Sequence, residues 1–107
     1  EQMDAANAKV LGMTQADYER FEALKDEVQQ ALEAAVRAGE DPAGPAGERI
    51  VRLHKTWLGG TWKEYTASAH KALAEGYVTD ARFTAYYDRN VSGCARFLCD
   101  AVQHWAK

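Results

Sequence analysis

Three histidines, His54, His70 and His104, and two cysteines, Cys94 and Cys99, are the side chains in this chain best suited to metal binding or nucleophilic chemistry. None of the spacings that pre-set two ligands on one helical face occurs, whether CxxC, HxxxH or HExxH, so no metal site is expected. A haem iron would need a proximal histidine, and no spacing singles one out; surface or groove histidines are the ordinary reading. Acid–base or nucleophilic catalysis needs a nucleophile, a base and an orienting group held together, yet the acidic residues fall mainly on polar helix faces. Cys94 lies near a helix start, which lowers a thiol pKa, but also in an apolar stripe, which raises it. Packing is its expected role, and no enzyme activity and no cofactor are expected.

The aromatic residues point to a receptor instead. Trp57, Trp62, Tyr65 and Tyr77 combine broad apolar faces with indole N–H and phenol O–H groups, and the His54 ring adds a further oriented partner. With Leu58, Ala69 and Leu73 they make a candidate groove for flat, heteroaromatic, poorly soluble ligands. Tyr77, Phe83, Tyr86 and Tyr87 crowd the stretch from His70 to Arg89. A chain with eleven aromatics in 107 residues can also bury them all as core, and composition alone leaves both uses open.

The elements that must position these residues are helical. Thr14-Gln15-Ala16-Asp17 forms a weak capping box, and Phe21, Leu24, Val28, Leu32 and Val36 recur every three or four residues up to Gly39, a helix stop. Residues 40–47 hold both prolines and two glycines and are expected to be loop. A second helix sets Ile50, Leu53, Trp57 and Leu58 on one side, with His54 beside them. Gly59-Gly60 then either ends this helix or leaves a soft joint, and in the latter case Trp57, Thr61 and Tyr65 share a face.

Thr66 and Thr79 are candidate N-caps for helices carrying Ala69, Leu73 and Tyr77, and then Phe83 with Tyr86 or Tyr87. A last helix from near Ser92 puts Cys94, Phe97, Leu98, Ala101, Val102 and Trp105 on its apolar side. No period-two strand pattern occurs, so the fold class is all-α with about five helices. Periodicity does not choose between an up-down bundle and a globin-like packing.

Composition bounds the rest. One domain of this length buries roughly two-thirds of its unfolded surface. Thirteen basic and sixteen acidic residues give a net charge of −3. Arg49, Arg52 and Lys55 are the only short basic row, so direct DNA binding is not expected. No apolar run approaches the ~20 residues that span a bilayer, so no membrane partner is expected. Cys94 and Cys99, five apart, are turned ~140° from each other on a helix and do not pair within it. Two free thiols suit a reducing, cytoplasmic compartment. The first residue is Glu1 rather than Met, read as the mark of a segment from a longer polypeptide.

His54-Lys55-Thr56-Trp57-Leu58, the stretch His70 to Arg89, and Gly93 to Val102 together resemble the TipAS antibiotic-recognition domain, the ligand-binding part of a branch of MerR-type transcription activators. The resemblance runs from about Thr14 to the C-terminus and divides the chain into an N-terminal segment, 1–13, flexible or ordered by ligand, and a ligand-binding domain, 14–107. It implies a compact globin-like fold without haem. It also implies non-covalent binding of a hydrophobic, aromatic-rich antibiotic, thiopeptide-like or another drug, which switches an upstream DNA-binding domain or simply sequesters the drug. Members that trap thiopeptides covalently carry cysteines at the positions of Tyr65 and Ala72; this chain has neither, and Cys94 and Cys99 do not match. The alternative is a small helical protein–protein interaction module.

Overall fold

The computed structural model describes residues 14–60 and 62–107; the expected segment 1–13 lies outside the described residues. Among the described residues there are five α-helices and no strand: α1 (Gln15–Arg37), α2 (Pro45–Leu58), α3 (Ala67–Thr79), α4 (Ala81–Tyr87) and α5 (Cys94–Trp105). The all-α expectation holds.

α1 begins where the capping box places it, with the Thr14 hydroxyl accepting the Asp17 N–H at 3.1 Å. Its apolar stripe buries Val28, Leu32 and Ala35, with Val36 packed at the edge of the core. The helix closes on Gly39, whose φ of +70° is open to glycine without strain. The N–H groups of Gly39 and Glu40 reach back to the carbonyls of Val36 and Ala35, satisfying two helix-end acceptors.

The loop expected over 40–47 is shorter, because α2 already starts at Pro45. Proline suits the first helical position, where its missing N–H has no partner to lose. Gly47 therefore lies in a helix rather than a loop, and the reason for glycine there is proximity. A Cβ at this position would stand 1.8 Å from the Pro42 carbonyl oxygen. The same carbonyl accepts the Trp105 indole N–H at 3.1 Å, which ties the α1–α2 connection to α5. α2 stops at Leu58 with Gly59 as its cap, so the helix does not run on to Tyr65; Thr61, expected to share a face with Trp57 and Tyr65, lies outside the described residues.

Thr66 caps α3 as expected, accepting from Ala69 N–H at 3.1 Å. The buried stripe of α3 keeps Tyr77 from the one the apolar pattern suggests, but its first two positions are displaced by one residue. His70, Ala74 and Tyr77 are buried, Ala69 is exposed, and Leu73 is half-buried against the core. Thr79 is not the cap of α4 but the last residue of α3, its hydroxyl donating to the Glu75 carbonyl. Asp80 is the cap: its carboxylate is the stronger acceptor and takes the Arg82 N–H at 2.9 Å.

α5 starts two residues later than Ser92, after Gly93 at φ +100°. Its first turn is capped by Asp88, whose carboxylate accepts the Ala95 N–H at 2.9 Å. Its expected apolar side is buried at Cys94, Phe97, Leu98, Ala101 and Val102, and Trp105 is half-buried. α5 is the central element, packing on α1, α2, α3 and α4. The helices α2 and α3 flank it, and the facing sides of these two carry the residues described next.

Candidate functional site

His54 and His70 are buried to 1% and 0% exposure, the only two histidines so placed. One-turn spacing along α2 puts His54 in line with Ile50 and Leu58 on its buried side, and His70 opens the buried stripe of α3. His54 Nδ1 lies 2.7 Å from His70 Nε2. The remaining ring nitrogens face tyrosines: His70 Nδ1 is 2.6 Å from Tyr65 Oη, and His54 Nε2 is 3.4 Å from Tyr77 Oη. A continuous chain of four polar side chains thus runs through the protein from Tyr65 to Tyr77.

Burial sets the charge state of this chain. The apolar surroundings, and secondarily His70, hold the His54 pKa down to about 3. Burial and then the Lys55 ammonium hold that of His70 down to about 4. Both imidazoles are therefore neutral at physiological pH, each with one donor and one acceptor nitrogen. All four nitrogens are engaged, so none is free to ligate a haem iron. Among the described residues, no three His, Cys, Asp or Glu side chains are grouped as a metal site requires.

At the Tyr77 end of the chain lies a pocket of about 460 Å³, within the range of drug-sized ligand sites. Trp57, Tyr77, Phe83, Tyr86 and Tyr87 line it, with Lys25 and Arg82. The two cations are matched by Glu22 at 2.8 Å and Asp80 at 2.9 Å, so the pocket is an aromatic recess rather than an anion trap. Among the described residues, Phe83 and Tyr86 are the exposed large apolar side chains, and both line the recess. Tyr87 is buried, its ring 4.7 Å from that of Tyr77. Trp57 separates this pocket from a second groove of about 400 Å³ bordered by Phe21, Leu24 and Gly59-Gly60. Its indole stacks on Phe21 with centroids 5.2 Å apart. Among the described residues, the buried Trp57 Nε1–H has no hydrogen-bond partner.

The structure divides the eight residues singled out from sequence. Trp57 and Tyr77 line the aromatic pocket, and His54 stands directly behind them. Leu58 is core. Trp62 and Tyr65 sit on the far side of His70, ring centroids 6.0 Å apart, and do not reach the pocket. Ala69 is exposed and Leu73 supports the core. The residues not assigned to the groove are Phe83, Tyr86 and Tyr87; the density of aromatics after Tyr77 was the signal that marked them. The His54–His70 contact had no sequence signal, since sixteen residues and a helix break separate the two.

Cys94 and Cys99 are free and buried. Burial, reinforced by Asp88, pushes the Cys94 thiol up to about 11, and burial also raises Cys99. The apolar stripe outweighs the helix N-terminus at Cys94, and neither thiol is poised as a nucleophile.

A family model described as the TipAS antibiotic-recognition domain matches residues 1–105. The chain is 27% identical over 94 residues to the HTH-type transcriptional activator TipA of Streptomyces coelicolor and likewise to that of Streptomyces lividans, covering 88% of this chain and 37% of each relative. It is 24% identical over 103 residues to the HTH-type transcriptional regulator SkgA of Caulobacter vibrioides, covering 95% of this chain and 40% of that protein. The chain thus spans about two-fifths of the length of the curated relatives it matches. No solved structure matches it.

Proposed function

The chain belongs to the TipAS antibiotic-recognition domain family, and from that membership we propose that it is the effector-recognition domain of a MerR-like transcription regulator. Its ligand is a hydrophobic, aromatic-rich compound of the antibiotic class, thiopeptide-like or another drug, held non-covalently. The observation that carries this reading is the recess of about 460 Å³ walled by five aromatic side chains. Aromatic faces give large contact area at low entropic cost, and the phenol, indole and imidazole groups around them orient a ligand. Tyr65 and Ala72 stand where covalent trapping in this family needs cysteine, and both thiols present are buried on α5.

The same domain sequesters its ligand when made alone, and signals when an upstream helix-turn-helix half is attached. That half, not this one, reads DNA: along the basic row of α2, Arg52 is paired with Glu48 and Lys55 lies over the Tyr65 ring, which leaves little for phosphates. An interaction module is the second reading, favoured by the exposure of Phe83 and Tyr86. Those two rings also border the pocket, which a ligand covers as well as a partner helix does. A thermal-shift screen of hydrophobic antibiotics separates the readings. A ligand at 100 times its Kd adds about 2.7 kcal/mol, a shift of roughly 10 °C or more for a domain of this size. A concentration-dependent shift with a small molecule supports the receptor, whereas self-association without any small-molecule shift supports the module.

A further inference from the structure

The chain Tyr65, His70, His54, Tyr77 has only two internally consistent proton arrangements. Each neutral imidazole donates from one nitrogen and accepts at the other, so the direction of one hydrogen bond fixes all of them. In the first, the Tyr65 O–H donates to His70 Nδ1, His70 Nε2–H to His54 Nδ1, and His54 Nε2–H to Tyr77 Oη. In the second every bond is reversed.

The distances and the nearest charge select the first. The Tyr65 to His70 separation of 2.6 Å is in the range of an O–H donor and shorter than an N–H donor to oxygen normally allows. At 3.4 Å the His54 Nε2–Tyr77 Oη contact is the loosest link of the relay and takes its direction from the other end. Lys55 Nζ lies 4.5 Å over the Tyr65 ring, drawing charge from the phenol and improving it as a donor. A cation there also disfavours an N–H dipole aimed at it from His70.

Direction at Tyr65 has a consequence in the pocket. Tyr77 lines the recess, and its hydroxyl is the end of the relay. When His54 donates to Tyr77, the Tyr77 O–H is left over for the recess. With the chain reversed, Tyr77 donates to His54 and offers lone pairs only. We infer that the buried His54–His70 pair is a specificity determinant. Polarised from Tyr65, it leaves a phenol O–H in the pocket wall, so the site favours aromatic ligands bearing a hydrogen-bond acceptor over those bearing a donor. The ligand preference rests on the pocket reading above; the polarity of the relay does not.

Nitrogen-15 long-range correlation spectra of the histidines test the relay without any ligand. Both rings are expected as the Nε2–H tautomer, and Tyr65→Phe is expected to raise the Nδ1–H population at His54, which Tyr65 does not touch. An Nδ1–H tautomer at either ring in the unsubstituted protein, or a His54 ring indifferent to Tyr65→Phe, overturns it. Quinoline, naphthalene and indole, close in shape, test the preference: quinoline should bind about fivefold tighter than naphthalene, the equivalent of one neutral hydrogen bond, and indole should gain nothing. Equal affinities, or indole binding best, overturn the acceptor preference. If none of the three binds, the pocket reading falls and the preference with it, while the nitrogen spectra still decide the relay.

Discussion

His54 Nδ1 and His70 Nε2 meet at 2.7 Å inside the core and join helices that are sixteen residues apart at that point. Because both rings are held neutral, folding excludes two protons that the unfolded chain accepts below the ordinary histidine pKa of 6.5. The folded pKa values are depressed, so the stabilisation is complete above pH 6.5 and is lost as pH falls towards about 4 for His70 and about 3 for His54. Each ring contributes a slope of about 1.4 kcal/mol per pH unit in that window. Urea unfolding should give equal stabilities at pH 7 and 8 and a clear loss from pH 6.5 to 5, where most carboxylates remain ionised. A flat profile down to pH 5 would contradict the neutral pair.

Trp57 and Trp62 are separated by the structure into a pocket residue and a residue of the Tyr65 cluster. Trp57→Ala should weaken binding of a hydrophobic antibiotic by more than ~1 kcal/mol, as for a truncated aromatic anchor. Trp62→Ala should change it by less than half as much. Isothermal titration of both variants with one ligand checks the assignment, and the reverse ranking would move the site to the far side of His70.

Gly47→Ala should be among the most damaging single-atom-scale changes in the chain, because the added methyl meets backbone at Pro42 rather than a movable side chain. Overpacking of this kind costs about 1–3 kcal/mol, and here it also disturbs the Trp105 bond to the Pro42 carbonyl. Gly76→Ala is the control: nothing lies within 4 Å of a Cβ there, and alanine favours the helix by about 1 kcal/mol. Thermal melts should move in opposite directions for the two.

Cys94 and Cys99 should remain unmodified when the folded protein is incubated with a dehydroalanine-bearing thiopeptide, since burial raises both thiols. Intact mass is the measurement. An adduct mapped to either residue would show that α5 opens to ligand.

The helices were legible wherever a backbone rule met a single residue: Thr14 and Thr66 as caps, Gly39 as a stop, the α5 stripe from Cys94 to Val102. Errors arose where a residue's value depended on a distant partner. Gly47 reads as loop until Pro42 is seen against it, and the last helix reads as starting near Ser92 until Asp88 is seen to cap it at Cys94. The same holds for the site. Trp57 and Tyr77 were identifiable by type, but His70 is polar by any scale and displaces Ala69 from the buried stripe only because Tyr65 and His54 satisfy both its nitrogens. Tyr87 joins the pocket through α4 packing on α3 and α5, which no local pattern encodes.

The central claim, that the recess behind Phe83 and Tyr86 receives the effector, is tested most directly by mapping a bound ligand onto the aromatic rings. With carbon-13-labelled aromatics and a hydrophobic antibiotic that stabilises the protein, the largest shift changes should fall on Trp57, Tyr77, Phe83, Tyr86 and Tyr87, with intermolecular contacts to the same rings. Contacts confined to Trp62, Tyr65 and Trp105, with the five pocket rings unperturbed, would contradict it.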